Sequence, residues 1–249
     1  MKVVIDGNTY DAVFGEYILN VAKRNGIEIP ALCHNEALPG LGSCRLCIVE
    51  VIENSRSKVV ASCLYPITRS LEVATGSEKI IAMRRTILKL LLGRASGNRY
   101  LRQLAQRYGV ALKDAIKSGH ADNECILCGL CVKACEEVGI SAISTVGRGI
   151  EKKVSTPYDE PSSECIGCGA CAGVCPTEAI KAEDKDGIRE IWGKSFELIK
   201  CKGCGGYFAT TEYLEYLREK LGSDNKEEYC CSCRKVLQAD KFRDIFGIF

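Results

Sequence analysis

The residues best equipped for chemistry in this chain are its cysteines, and their spacing carries a pattern. Of the 17 cysteines among 249 residues, eight fall into Cys125-x2-Cys128-x2-Cys131-x3-Cys135 and Cys165-x2-Cys168-x2-Cys171-x3-Cys175-Pro176. The same run is written twice, with the spacing that holds two cubic iron–sulfur clusters and in which the fourth cysteine of each run ligates the other cluster. Cys125, Cys128, Cys131 and Cys175 are therefore expected to hold one [4Fe–4S] cluster, and Cys165, Cys168, Cys171 and Cys135 the second. Each cube has four iron corners, and each corner needs a thiolate. Three cysteines on one tight turn reach three corners, and the fourth ligand must come from elsewhere. Gly129, Gly167 and Gly169 lie inside these turns, where the backbone passes close to the cluster and freedom at positive φ is of use. Zinc is usually held by paired knuckles, and disulfides do not suit an intracellular chain, so neither alternative matches a run of four.

A second set reads Cys33-x10-Cys44-x2-Cys47-x15-Cys63. Its first gap is ten, where the plant-type [2Fe–2S] spacing has four. The surrounding pattern predicts strands over 2–5 and 9–14 joined by Asp6-Gly7-Asn8, an amphipathic helix over 16–24 stopped by Asn25-Gly26, and strands over 46–52, 59–63 and 71–73. That order of elements is the order of a β-grasp ferredoxin fold. With the long loop, Leu32-Cys33-His34 and Gly42-Ser43-Cys44-Arg45-Leu46-Cys47-Ile48-Val49-Glu50, this region resembles the N-terminal [2Fe–2S] domain of the large iron–sulfur subunit of respiratory complex I. The same domain occurs in diaphorase subunits of NAD-linked hydrogenases, in multi-cluster iron hydrogenases and in related electron-bifurcating complexes. The resemblance implies that Cys33, Cys44, Cys47 and Cys63 hold a [2Fe–2S] cluster. His34 is read as a hydrogen-bonding neighbour of the cluster rather than a ligand, since four cysteines suffice and no second histidine lies nearby.

The remaining cysteines lie in the tail. Cys201-x2-Cys204 and Cys230-Cys231-Ser232-Cys233 form two Cys-x2-Cys knuckles 25 residues apart, which resembles a zinc ribbon. One Zn2+ is expected on Cys201, Cys204, Cys230 and Cys233, with a further Fe–S cluster as the alternative. Cys231 is expected to stay unligated.

These ligand sets call for an α+β architecture in four parts: a β-grasp [2Fe–2S] domain over 1–76, a helical connector over 77–121, a double [4Fe–4S] ferredoxin-like domain over 122–195, and a small four-cysteine ribbon with a helix over 196–249. Only 7% of the chain is aromatic, so several small cores stapled by cofactors are expected rather than one large core. Thr75 and Glu78 stand at capping-box spacing before helices predicted over 80–92, 100–108 and 112–117. Short strands are expected over 140–146 and 179–182, a polar loop over 147–163 and a helix over 210–221. In the resembled family the connector carries His-x3-Cys-x2-Cys-x5-Cys for another [4Fe–4S] cluster. No cysteine lies between Cys63 and Cys125, and His120 has no cysteine at that spacing, so that cluster is expected to be absent. Arg84, Arg85, Lys89, Arg94, Arg99, Arg102 and Arg107 are read as a solvated helix face, the alternative being a docking surface for an acidic partner or a cluster edge.

The N-terminus reads as a strand, not a signal peptide, and the longest strongly apolar stretch, near 87–92, is too short to cross a membrane. Free thiolates suit the reducing cytoplasm. A formal charge of +2 without a basic, aromatic-rich face gives no nucleic-acid footprint. No Gly-x-Gly-x-x-Gly or Gly-Lys-Ser/Thr loop and no catalytic constellation appears. The expected function is an electron-transfer subunit of a soluble multi-subunit NAD(P)-linked oxidoreductase, a hydrogenase or formate dehydrogenase, electron-bifurcating types included. Its expected partners are a flavin/NAD(P)-binding subunit, a catalytic hydrogenase or formate dehydrogenase subunit, and ferredoxin. The alternative is an independent soluble polyferredoxin carrier.

Overall fold

The computed structural model describes residues 1–53, 56–116, 124–222 and 229–247. Its first unit is a five-stranded sheet of order β2-β1-β5-β3-β4 built from β1 (Lys2–Ile5), β2 (Asn8–Asp11), β3 (Ile48–Glu53), β4 (Arg56–Ala61) and β5 (Leu71–Ala74). β1 and β5 run parallel and the other neighbours antiparallel. The sequence dictates the inward face: Val3 and Ile5 alternate along β1, Val49 and Val51 along β3, and all four are buried. They pack on Ile18, Val21 and Ala22 of α1 (Ile18–Arg24), which Asn25 closes.

The connector is two helices, α2 (Glu78–Arg94) and α3 (Arg99–Arg107), followed by a 3-10 turn at Leu112–Asp114. The helix predicted over 112–117 is thus a single tight turn, and Lys117 and His120 lie outside the described residues. The α2 cap also differs from expectation. Ser77, not Thr75, accepts from Ile80 N–H at 3.3 Å. The Thr75 hydroxyl is engaged by Asp6 in the first turn of the sheet, at 2.5 Å, which leaves the cap to the next hydroxyl along. Asn98 caps α3 by accepting from Leu101 N–H and donates to the Thr177 carbonyl at 2.7 Å, hooking the connector to the second cysteine run.

The basic series on these helices is mostly exposed, as expected of a solvated face, with Arg84 the exception. Arg84 is buried, donating to the Leu46 carbonyl at 3.0 Å and the Ile48 carbonyl at 2.8 Å. Arg85 bonds the Tyr108 carbonyl, Arg94 the Lys152 carbonyl and Arg107 the Glu28 carboxylate. Their task is to tie elements together.

The third unit carries α4 (Leu130–Val138), the hairpin β6 (Ser144–Val146) with β7 (Lys153–Ser155), and the short α5 (Ala170–Gly173). β7 lies inside the stretch expected to be loop. No strand forms over 179–182; the chain begins its next strand at Glu183. From there β8 (Glu183–Lys185), β9 (Ile188–Ile191), β10 (Lys194–Lys200) and β11 (Tyr207–Thr210) form an antiparallel sheet of order β11-β10-β9-β8. β10 runs straight across the domain boundary expected at 195/196. The sheet is followed by α6 (Thr211–Leu221) and α7 (Cys231–Phe246). It leans on the cysteine runs: Thr210 donates to the Ile166 carbonyl at 2.6 Å, and Tyr216 donates to the Val138 carbonyl. Among the described residues no helix is long and apolar enough to cross a membrane.

Candidate cluster and metal sites

In the first unit the loop before β3 and the end of β4 bring four sulfurs into the buried interior. Cys33, Cys44, Cys47 and Cys63 are each at most 6% exposed. Cys47 Sγ lies 3.3 Å from Cys63 Sγ, and backbone N–H groups reach the sulfurs, Cys44 to Cys33 at 3.3 Å and Leu32 to Cys44 at 3.4 Å. Protons are shared unevenly among them. Hydrogen bonds from Cys44 and Cys63 hold the Cys33 thiol down at about 2, and the bond from Cys63 holds Cys47 down at about 6. Bonding to Cys33 drives Cys44 and Cys63 above the ordinary thiol range. Four crowded, desolvated sulfurs cannot all be thiolate without added positive charge. Iron supplies that charge, so this donor set fits a cluster. Both ring nitrogens of His34 are buried with no protein hydrogen-bond partner.

The two runs of the third unit interlock. Burial first, and the nearness of Cys175, raise the thiols of Cys125 and Cys128; burial first, and the nearness of Cys135, raise those of Cys165, Cys168 and Cys171. Cys135, Cys165, Cys168 and Cys171 line one cavity together with Trp192. Burial pushes the thiols of both groups up, Cys128 and Cys171 to about 11 and Cys131 to about 12, the same demand for a compensating cation. Gly129, Gly167 and Gly169 all take positive φ, 84°, 65° and 76°. At the place of Gly167 the first run has Leu127, which adopts φ 53° despite its side chain. Gly167 has no such option, because a Cβ there meets the Phe196 ring at 2.7 Å.

The first two sites are neighbours. Cys33, Cys44 and Cys128 share one apolar cluster with Leu46 and Ile126, and Ser43 donates to the Leu127 carbonyl at 3.4 Å.

In the tail Cys201, Cys204, Cys230 and Cys233 place their sulfurs within 4.8 Å of one another. Cys201 is buried at the end of β10 and accepts from the N–H groups of Gly203 at 3.3 Å and Cys230 at 3.2 Å. Those donors, Cys230 first, bring its thiol down to about 6, whereas bonding to Cys230 and Cys201 raises Cys233 to about 12. Cys231 is exposed and outside the group.

Several site residues escaped the sequence reading. Arg84, Arg189, Trp192 and Lys194 all bond the cysteine loops. Asp186-Gly187 is a hairpin turn signal, but it marks the preceding β8–β9 hairpin; the β9–β10 hairpin that carries the last three turns at Trp192-Gly193.

Known proteins match these units. Residues 1–78 match the 2Fe-2S iron-sulfur cluster binding domain, and residues 120–182 the 4Fe-4S dicluster domain. The chain is 33% identical over 187 residues to NADP-reducing hydrogenase subunit HndD of Solidesulfovibrio fructosivorans, covering 64% of this chain and 32% of that protein. It is 29% identical over 181 residues to the mitochondrial NADH-ubiquinone oxidoreductase 78 kDa subunit of Candida albicans, covering 63% of this chain and 25% of that protein. A chain in the crystal structure of an NAD+-reducing [NiFe]-hydrogenase in the H2-reduced state superposes with a TM-score of 0.54 at 31% identity, covering 62% of this chain and 74% of that one. The chain spans a third or less of the length of the curated relatives it matches.

Proposed function

The chain belongs to the family of iron–sulfur subunits that NAD(P)-linked hydrogenases share with the large iron–sulfur subunit of complex I, and on that premise we propose that it is an electron-transfer subunit of an NAD(P)-linked oxidoreductase. It works in the cytoplasm between a flavin/NAD(P)-binding subunit and a catalytic hydrogenase or formate dehydrogenase subunit, with ferredoxin as a further acceptor. Cys33, Cys44, Cys47 and Cys63 hold a [2Fe–2S] cluster. Cys125, Cys128, Cys131 and Cys175 hold one [4Fe–4S] cluster, and Cys135, Cys165, Cys168 and Cys171 the other. When bound, each cluster accepts and releases single electrons.

The protein's own part is placement and insulation. Leu32, Leu46, Ile126 and Leu130 are buried around the first two sets and exclude water from the ground between them. Asn98 fixes the connector against Thr177, two residues beyond Cys175. The single observation that carries the reading is the shared apolar cluster of Cys33, Cys44 and Cys128, in which sets far apart in sequence meet.

The tail site takes Zn2+ in this reading. A tetrahedral ion with Zn–S bonds of about 2.3 Å keeps its sulfurs about 3.8 Å apart, and Cys204 Sγ stands 3.9 Å from Cys230 Sγ. A cube distributes its thiolates over four separate irons and needs them wider. Metal analysis of anaerobically purified protein tests the assignment: about 10 iron per chain, counted as 2 + 4 + 4, and one zinc. About 14 iron without zinc overturns the tail assignment, and fewer than 8 overturns the double cube.

A further inference from the structure

The two cysteine runs are near copies, so each serves as a control for the other. Backbone N–H groups treat the fourth cysteines alike: Ala179 bonds Cys175 as Ala142 bonds Cys135, each at 3.3 Å. The third cysteines differ. Among the described residues no side chain donates to Cys131, whereas Cys171 takes a bond from the indole N–H of Trp192, at 3.5 Å.

Trp192 is the only tryptophan in the chain, and it sits where tryptophan is ill suited. With Gly193 it forms the two-residue turn between β9 and β10, and the two have φ of 53° and 71°. Such turns favour Asn, Asp and Gly, and a bulky residue at positive φ stores strain that only its surroundings sustain. The surroundings are built for it. Arg189, paired with Asp184, donates to the Gly167 carbonyl at 3.1 Å, and Lys194 donates to the Cys165 carbonyl at 2.8 Å. The hairpin is thus pinned to the cysteine loop on both sides of the turn, and the indole is held over Cys171 in the cavity that Cys135, Cys165, Cys168 and Cys171 line.

We propose that Trp192 is a positioning residue for the second [4Fe–4S] site, its indole N–H bonding the Cys171 sulfur and raising that site's reduction potential. The inference rests on the cluster assignment above. Each reduction adds one electron to the cluster and its four thiolates. A hydrogen bond to sulfur stabilises that added negative charge, and hydrogen bonds to sulfur are one of the levers on such potentials. Thr177 Oγ1, 3.6 Å from Cys175 Sγ, is a counterpart in the first set, and either atom of that pair can be the donor.

Two measurements on the full, iron-loaded chain test this. In an EPR-monitored redox titration, Trp192→Phe keeps the ring and removes the N–H. One [4Fe–4S] midpoint is expected to fall while the other and the [2Fe–2S] midpoint stay in place. Unchanged midpoints at wild-type iron content, or all midpoints moving together, overturn the proposal. If the variant loses iron, wild-type protein labelled with 15N at tryptophan alone decides. Pulsed EPR of the reduced chain should show a 15N coupling on one [4Fe–4S] signal, and its absence overturns the proposal. A wild-type chain with no second [4Fe–4S] signal sinks the cluster assignment itself, and the proposal with it.

Discussion

Leu127 and Gly167 occupy the same place in the two cysteine runs and meet the same backbone demand by different means. Leu127 adopts φ 53° with its side chain half-buried, while Gly167 lies under the Phe196 ring. Gly167→Ala therefore combines a clash with a strained φ and should lower stability by about 1–3 kcal/mol, with loss of about four iron per chain. Leu127→Gly should keep full iron content; a metal assay and thermal melting compare the two. The tail has its own contrast at this scale. Cys201 receives two N–H bonds and faces three other sulfurs, while Cys231 is exposed and outside the group. Cys201→Ser should remove the zinc and leave the iron spectra unchanged, and Cys231→Ser should change neither. Zinc loss on changing Cys231, with Cys230→Ser silent, would show that the other member of the pair is the ligand.

Among the elements, α2 is the strut that joins the first site to the rest. Its Arg84 reaches back to the carbonyls on either side of Cys47, so Arg84→Met leaves two buried carbonyls without donors. A cost of about 2–4 kcal/mol is expected, read as a lower Tm of the loaded chain. The start of α2 is held by Glu50 of β3, which accepts from Ser77 at 2.5 Å, Ser57 at 2.9 Å and Lys79 at 3.0 Å. Those bonds, Ser77 first, hold its carboxyl at about 2, below the ordinary 4.5. A lowered carboxyl stabilises the fold fully above its unfolded value and loses that contribution as pH falls through the folded value. Glu50→Gln should thus lower Tm at pH 7, and the gap to wild type should close between pH 4.5 and 2. A gap that widens on acidification would contradict the role. The sequence made the β-grasp strands and α1 legible because Val3, Ile5, Val49, Val51 and Ile18 keep strict strand and helix periods. The sheet β8–β11 was hidden. Its strands β8 and β9 are short and largely exposed, one of its turns uses tryptophan, and its Arg189 and Lys194 look like ordinary surface charges until the hairpin is folded. The candidate cysteines of the double run and the tail stood out by spacing, and Cys33, Cys44, Cys47 and Cys63 by spacing together with the family resemblance. Arg84 and Trp192 did not, since nothing local marks a side chain whose partner is distant in sequence.

For the whole molecule, three cysteine sets stand along one chain whose units contact each other through Ser43–Leu127, Asn98–Thr177 and Thr210–Ile166. Such an arrangement suits the single-electron relay proposed above. Reconstitution with a flavin/NAD(P) subunit and a catalytic subunit should restore electron flow between them, and Cys44→Ser should disable exchange on the flavin side. The relay is tested most directly by an anaerobic reductive titration of the isolated, loaded chain followed by EPR. Dithionite should deliver about three electrons per chain, one for each cluster, while NADH and hydrogen deliver none. Uptake of about one electron or fewer, or reduction of the isolated chain by NADH, would contradict it.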